Sequence, residues 1–438
     1  GISTGKFRSL DEIKAAIRKQ KNSLYNESDK YGTLADAYIA IQTGIAWNLI
    51  YEPKYDRVVS TVGRLWNEEY GGYCLFGWDN FFLSYVCGLF SKDLAYSNII
   101  DHLDGKTDGG FIPNDNRGNG SKSFDRSQPP VGSIMVKEIY KMYPSDWFLE
   151  LAFDYLLDWN RWWEKDRVNE GLLSYGSTPT ENPFNEPVFG TRTAAGYESG
   201  MDDSPMYEGV PYNKDKKTFE LQDVGLNSLY IADCKALAEM ASILGKFDEK
   251  KELLDRANKF LSNMNNLWDD EAGIFFNYRT DLGTHSERLS PTIFYPLLAD
   301  IKPEKRAIRI VDYFYNADKF YGKWMLPSTA RDDPSFKRQR YWKGAIWPPL
   351  NFLTYLSLRK VRQYNASAEL SEKSMSLFIE EWFRKGFVSE NYSSITGTGD
   401  DVSLSSDRFH SWGTLFGIMG FIEKGYFPRP ETVLIELE

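Results

Sequence analysis

Three histidines, His102, His285 and His410, and three cysteines, Cys74, Cys87 and Cys234, are all that 438 residues supply of these types. So scattered, they match neither a metal-ligand spacing nor a Ser-His-Asp arrangement, and the thiols read as free and buried. No metal and no cofactor is expected. A glycine-rich phosphate loop and a dinucleotide fingerprint after a strand are both missing, which excludes nucleotide chemistry. Positive charge is short as well: the formal net charge of -10 argues against a nucleic acid or an anionic membrane as partner. No apolar run approaches the roughly 18 residues that cross a bilayer, so the chain reads as soluble. Its start, Gly1-Ile2-Ser3-Thr4-Gly5, has neither an initiator Met nor a signal-peptide core. That fits a leader already removed and leaves the compartment open between periplasm or exterior and cytoplasm.

What the chain has in quantity is aromatic side chains, 16% of all residues, with 13 Trp and 27 Tyr. Flat sugar faces pack on such rings, and the polar tip of Trp or Tyr serves at a pocket edge. Helical periodicity dominates the rest. In 219–245, Leu226, Leu229, Tyr230, Leu237, Met240 and Leu244 share one face while Asp233, Lys235 and Glu239 stay polar. Similar patterns predict helices near 10–24, 33–51, 55–68, 79–91, 93–104, 131–143, 146–164, 247–266, 290–299, 303–316, 344–361, 366–384 and 409–423, with little strand. Gly273-Ile274-Phe275-Phe276-Asn277-Tyr278 predicts a small hairpin. Long loops at 105–130, 171–218, 267–289, 320–343 and 386–408 interrupt the helices; loops of that length usually carry function. Their recurrence after every second helix suits an all-α toroid of helical hairpins, an (α/α)6 barrel. No linker divides the chain, so residues 1–438 read as one domain.

Two acidic segments stand out among these loops. In Glu198-Ser199-Gly200-Met201-Asp202-Asp203-Ser204-Pro205, Gly200 permits a tight turn and Pro205 stops a helix. Adjacent Asp202 and Asp203 then point to opposite sides, one toward a pocket and one anchoring the loop. In Ser389-Glu390-Asn391-Tyr392, Glu390 sits where apolar Gly386-Phe387-Val388 gives way to polar residues. Two carboxyls on separate loops are the minimum machinery for breaking a glycosidic bond, one protonating the leaving oxygen and the other activating water or attacking the sugar. Each segment taken alone reads equally well as an ordinary loop acid. Around them, Trp78 and Asp79 open a helix within FGWDNFF, Gln128 follows Arg126-Ser127, and Tyr341-Trp342-Lys343-Gly344-Ala345-Ile346-Trp347 crowds a loop–helix junction; His410 lies beside Trp412. Asp400 and Asp401 read as solvated or as cation-binding alike.

As a set, Ala46-Trp47-Asn48 with Tyr51, FGWDNFF at 76–82, RSQPP at 126–130, ESGMDDSP at 198–205, YWKGAIWPP at 341–349, ENY at 390–392 and Phe409-His410-Ser411-Trp412 resemble glycoside hydrolase family 63, in its short, catalytic-domain-only form. The group includes processing α-glucosidases and bacterial mannosylglycerate and glucosylglycerate hydrolases. The resemblance implies an (α/α)6 catalytic domain and exo-acting cleavage with inversion of a terminal α-linked glucosyl or mannosyl residue from a small carbohydrate, with Asp202 as general acid and Glu390 as general base. It places Trp47, Tyr51, Phe76, Trp78, Asp79, Gln128, Glu198, Gly200, Tyr341, Trp342, Lys343, Gly344, Trp347, Tyr392, His410 and Trp412 around the substrate. Trp78 and Trp347 are expected to pack the ring, Asp79 and Gln128 to hold hydroxyls, and Tyr392 and Lys343 to position water or substrate. Asp203 departs from the Asn expected after the acid, and a second carboxyl facing the same cavity would raise the acid's pKa. A trehalase- or glucoamylase-like barrel is the nearest alternative enzyme, and a noncatalytic carbohydrate-binding protein the alternative of another class.

Overall fold

The computed structural model describes residues 7–65, 72–404 and 406–437. Its helices fall into two kinds. Gly77–Cys87 (α3), Gly132–Met142 (α5), Val224–Ile243 (α8), Pro348–Lys360 (α11) and Leu415–Glu423 (α13) are buried on most or all sides, as is the 3-10 segment Pro291–Ala299. Apolar residues around the whole circumference can be satisfied only inside the molecule. These six segments touch one another in cyclic order: α3, α5, α8, the 3-10 segment, α11, α13 and α3 again.

A second layer surrounds them. Lys92–Leu103 (α4) packs on α3, Asp146–Arg167 (α6) on α5, Phe247–Met264 (α9) on α8, Glu304–Asp312 (α10) on the 3-10 segment and Tyr364–Lys385 (α12) on α11 and α13. Ala35–Trp47 (α2) closes the layer against α12 and α13, with Leu10–Ser28 (α1) outside it. These outer helices bury one stripe; α9 hides Leu253, Arg256, Ala257, Phe260 and Met264, the i, i+3, i+4, i+7 spacing of a helix lying on a core. Local signals set the ends: Asp223 accepts from the Leu226 N–H at 2.8 Å to cap α8, Pro348 and Pro349 open α11, and Gly386 in the left-handed region stops α12.

The ring's axis is filled with aromatics. Trp78 contacts Phe82, Phe82 contacts Phe352, Phe352 contacts Tyr85 and Tyr85 contacts Phe427, at centroid distances of 5.9, 6.0, 5.8 and 5.2 Å. Beyond them Pro430, Val433, Ile435 and Leu437 of the C-terminal segment cover the C-terminal ends of the inner helices. Glu431 of that segment receives the Arg359 guanidinium at 2.6 and 3.0 Å.

Three expectations about elements change. The stretch 55–68 is not one helix: Leu49–Glu52 (β1) and Arg57–Ser60 (β2) pair antiparallel, and residues 66–68 lie outside the described residues. The predicted hairpin at 273–278 divides between two pairings: Ile274–Phe275 joins Trp268–Asp269, while Asn277–Arg279 joins Thr284–Ser286 and Leu221–Gln222. The long loop 171–218 contains a short helix, Arg192–Glu198 (α7). Cys74, Cys87 and Cys234 are free and buried, and among the described residues no helix is long and apolar enough to cross a membrane.

One buried ion pair ties two of the long loops, 105–130 and 171–218, to the end of α6. Arg167, at the end of α6, meets Glu198 at 2.7 and 2.9 Å with both side chains fully enclosed. The Glu198 oxygens also accept from the Ser127 N–H (3.0 Å) and the Gly176 N–H (2.6 Å), and Arg167 donates to the Asp125 carbonyl at 3.1 Å. Removing one partner strands the other in the core. Arg167→Met should therefore cost about 3–5 kcal/mol in chemical unfolding, and the double change Arg167→Met/Glu198→Leu should recover much of it, because no unpaired charge remains. Gly132 tests the packing of α5: a Cβ there would meet Phe81, Leu156 and Trp159 at 2.8 Å. For Gly132→Ala an over-packing cost of about 1–3 kcal/mol outweighs the ~0.5–1 kcal/mol gained in helix propensity, so unfolding should show a net loss.

Candidate active site

The N-terminal ends of the inner helices converge on one cavity of about 180 Å³. Phe76, Trp78 and Asp79 come from the start of α3, Gln128 from the turn before α5, Tyr341 and Trp342 from the loop before α11, and His410 and Trp412 from the turn before α13. Asn114, Asp115, Arg117, Arg126, Tyr197, Gly200, Asp202 and Glu390 complete the lining. Helix N-termini carry partial positive charge, which favours carboxylates set among them.

The acid-bearing turn is positioned from both sides. Gly200, at φ +68°, lies so close to Trp78 that a Cβ would stand 2.7 Å from the indole, so only glycine permits the approach. Asp202 lines the cavity, whereas Asp203 turns away and accepts from the Trp342 N–H at 3.0 Å, with the Lys343 ammonium 3.7 Å off. The loop of Glu390 is held as firmly. Glu390 exchanges a backbone bond with Asp407 at 2.8 Å, its carbonyl accepts from the Trp412 indole at 2.9 Å, and its Oε2 accepts from the Asp407 N–H at 3.2 Å. Two bonds between Ile346 and Tyr392, 2.7 and 3.0 Å, join this loop to the segment entering α11.

Four carboxyls thus line one cavity, and burial dominates the titration of Asp202, Asp79 and Glu390. It pushes Asp202 up to about 7; the charge of Asp203 adds to this, while Arg126 and the Tyr341 hydroxyl pull the other way. Asp79 and Glu390 are raised well above the carboxylate range, Asp79 by burial and the nearby Asp202, Glu390 by burial and then Asp407, Asp79 and Asp202. Groups coupled in this way lose protons in steps that belong to the set. His410, 4.0 Å from Asp79, is pushed by burial down to about 3 and is neutral.

The aromatic wall is layered. Trp342 stacks on Trp347 at 3.6 Å and 6°, and Trp78 stands 6.4 Å from Trp342 and 6.1 Å from Trp412. Trp342 therefore faces the cavity and Trp347 lies behind it, donating its indole N–H to the Tyr341 carbonyl at 2.9 Å. Gln128 lines the cavity and spends its amide oxygen on the Trp78 N–H at 3.0 Å.

Several residues expected around the substrate stand elsewhere. Trp47 and Tyr51 are exposed; Trp47 stacks on Phe409 at 4.9 Å, and Tyr51 donates to Asp56 on the β1–β2 hairpin. Glu198 is spent on Arg167 in the core. Lys343 is directed to Asp203 and Glu208, and Gly344, at φ +93°, forms a turn whose Cβ would strike the Phe336 carbonyl at 2.3 Å. Tyr392 is buried beneath the base loop, its hydroxyl accepting from the Ser389 N–H at 3.0 Å. Conversely Asn114, Asp115, Arg117, Arg126 and Tyr197 were not among the expected residues. Both arginines are already engaged, Arg117 with Asp115 (2.7 Å) and Glu186 (3.4 Å), Arg126 with Asp125 (2.7 Å) and Asp115 (3.3 Å).

Comparison with known proteins bears on the family and the fold. The mannosylglycerate hydrolase of Rubrobacter radiotolerans is 28% identical over 216 residues, which cover 48% of this chain and 45% of that protein. The chain thus matches less than half the length of that relative. Among solved structures, the glycoside hydrolase family 63 mannosylglycerate hydrolase from Thermus thermophilus in complex with glucose superposes with a TM-score of 0.68 at 18% identity, covering 88% of this chain and 98% of that one. Neutral trehalase Nth1 from Saccharomyces cerevisiae gives 0.63 at 17%, covering 87% and 76%. At these identities the likeness is one of fold. The family described as mannosylglycerate hydrolase MGH1-like glycoside hydrolase domain matches residues 72–412, most of the chain. This protein belongs to that family, within glycoside hydrolase family 63.

Proposed function

We propose that residues 1–438 form a single (α/α)6-barrel domain acting as an inverting, exo-acting glycoside hydrolase on a terminal α-linked glucosyl or mannosyl residue. One observation carries this reading: Asp202 and Glu390, on loops far apart in sequence, line one aromatic cavity, one of them with its pKa at about 7. The sugar ring lies against Trp78, Trp342 and Trp412, and Asp79 and Gln128 face its hydroxyls. Asp202 gives its proton to the departing oxygen. Glu390 takes a proton from a water on the opposite face of the ring, an arrangement that needs the two carboxyls roughly 6.5–9.5 Å apart.

The division of labour follows from coupling. Buried carboxyls repel each other's charge, so the set favours a state in which only part of it is ionised. With Glu390 as the ionised member, its charge holds the proton on Asp202, and one acid and one base coexist near neutral pH. Burial works against ionising Glu390; the Asp407 N–H at its Oε2 works in favour. The names of the relatives suggest aglycones that range from glycerate to an oligosaccharide.

Two measurements test the reading. Proton nuclear magnetic resonance of the first-formed sugar from an α-glycoside should show the β anomer; an α anomer overturns inversion. Asp202→Asn and Glu390→Gln should each lower kcat by about 10²–10⁴-fold with substrate binding retained. No turnover by the wild type, with carbohydrate binding unchanged in both variants, would favour the noncatalytic alternative.

A further inference from the structure

Asp203 is not in the cavity, yet it grips the cavity's wall, and the inference drawn from this rests on the assignment of Asp202 as proton donor. We propose that Asp203 is a positioning residue that keeps the Tyr341–Trp342 wall against the acid and supplies the negative charge that keeps Asp202 protonated.

The geometry is a clasp. On one turn Asp202 lines the cavity beside Tyr341, and its neighbour Asp203 accepts from the Trp342 N–H of the facing turn at 3.0 Å. The grasped turn is strained, since Gln339 and Tyr341 adopt positive φ of +43° and +48° and Gly344 +93°. Bulky residues persist in that region only when surrounding contacts fix them. Local bonds between Arg340 and Lys343, 2.9 and 3.2 Å, hold the turn from within, and Asp203 holds it from across the site. What the clasp keeps in place is the Trp342 ring on Trp347.

The charge on Asp203 is only loosely balanced. The Lys343 ammonium lies 3.7 Å away and is shared with Glu208 at 3.8 Å, while Glu208 also faces Arg288 at 3.3 Å. Arg340 lends a weaker attraction. The cavity around Asp202 also holds Arg117, Arg126, Asp115, Tyr197, Tyr341, Asp79, Glu390 and His410; Arg126 is bonded to Asp125 and Asp115, and Arg117 to Asp115 and Glu186. After burial, the charge of its own neighbour acts most strongly on the acid. An aspartic acid at its ordinary pKa would be protonated in about one molecule in a thousand at pH 7, too few to serve as acid.

The test uses pH profiles of kcat/KM. The acid must be protonated, so activity falls as pH rises through its pKa. Asp203→Asn keeps an oxygen for the Trp342 N–H but removes the charge; its alkaline limb should move to lower pH by about one unit, with KM changed less than about twofold. Asp203→Ala also frees the wall, so KM should rise by about fivefold or more in addition to the same shift. Lys343→Gln unbalances Asp203 and should move the limb the opposite way. Infrared titration of the protonated Asp202 carbonyl, identified by its loss in Asp202→Asn, should report the same order of pKa without turnover. Superimposable limbs and titrations for wild type, Asp203→Asn and Lys343→Gln overturn the proposal. Full activity of Asp202→Asn instead overturns the acid assignment beneath it.

Discussion

The enclosed pairing of Arg167 with Glu198 is the constraint on which the rest of the site depends. A carboxylate and a guanidinium taken wholly out of water lose several kilocalories of hydration each, and recover them only when every oxygen and N–H has a partner. Here the partners come from two loops: Ser127 and Asp125 from 105–130, and Gly176 and Thr178 from the early part of 171–218, whose later part carries Glu198 itself. Satisfying the pair therefore fixes those loops relative to one another. Gln128 follows Ser127 by one residue and Asp202 follows Glu198 by four, so the fixed framework lies directly behind the reacting groups.

A second device acts on the opposite wall. Glu381 of α12, fully buried, accepts from the Ser389 hydroxyl at 3.1 Å, the Gly399 N–H at 3.3 Å and Lys385 at 2.7 Å. It does for the loop of Glu390 what Glu198 does for that of Asp202. Each proposed reacting carboxyl thus stands near a buried carboxylate that is neutralised by a base and bonded to backbone. Distance between the reacting groups is then set by rigid helices rather than by the loops alone, as catalysis by positioned acids and bases requires.

Much of this was legible in the sequence because it rests on periodicity and punctuation. The outer helices bury a single stripe, and α9 shows it plainly; the proline pair at 348–349 marks the start of α11. Opposite orientation of Asp202 and Asp203 followed from adjacency in an extended turn. Other features depend on contacts that no local pattern carries. Glu198 has the same neighbours in sequence as a substrate ligand would have, and only Arg167, thirty-one residues earlier, decides otherwise. Trp342 and Trp347 are indistinguishable as tryptophans until one is seen stacked behind the other. Asp115 and Arg117 lie in a three-residue strand paired with Cys74–Phe76, too short to leave a period, and Asn114 precedes it, although Arg126 and Tyr197 adjoin segments already singled out. The misread stretch at 55–68 held a signal that was outweighed: Val58, Val59, Thr61 and Val62 are β-branched and favour a strand.

The aromatic column from Trp78 to Phe427, backed by the C-terminal segment, stands as a floor behind the cavity. A single doorway must then serve arrival and departure alike. The fragment held deepest is the last to leave, and it blocks the next molecule for as long as it lingers. Under the proposed hydrolysis, the pace of such a vessel would be bound to how readily it empties.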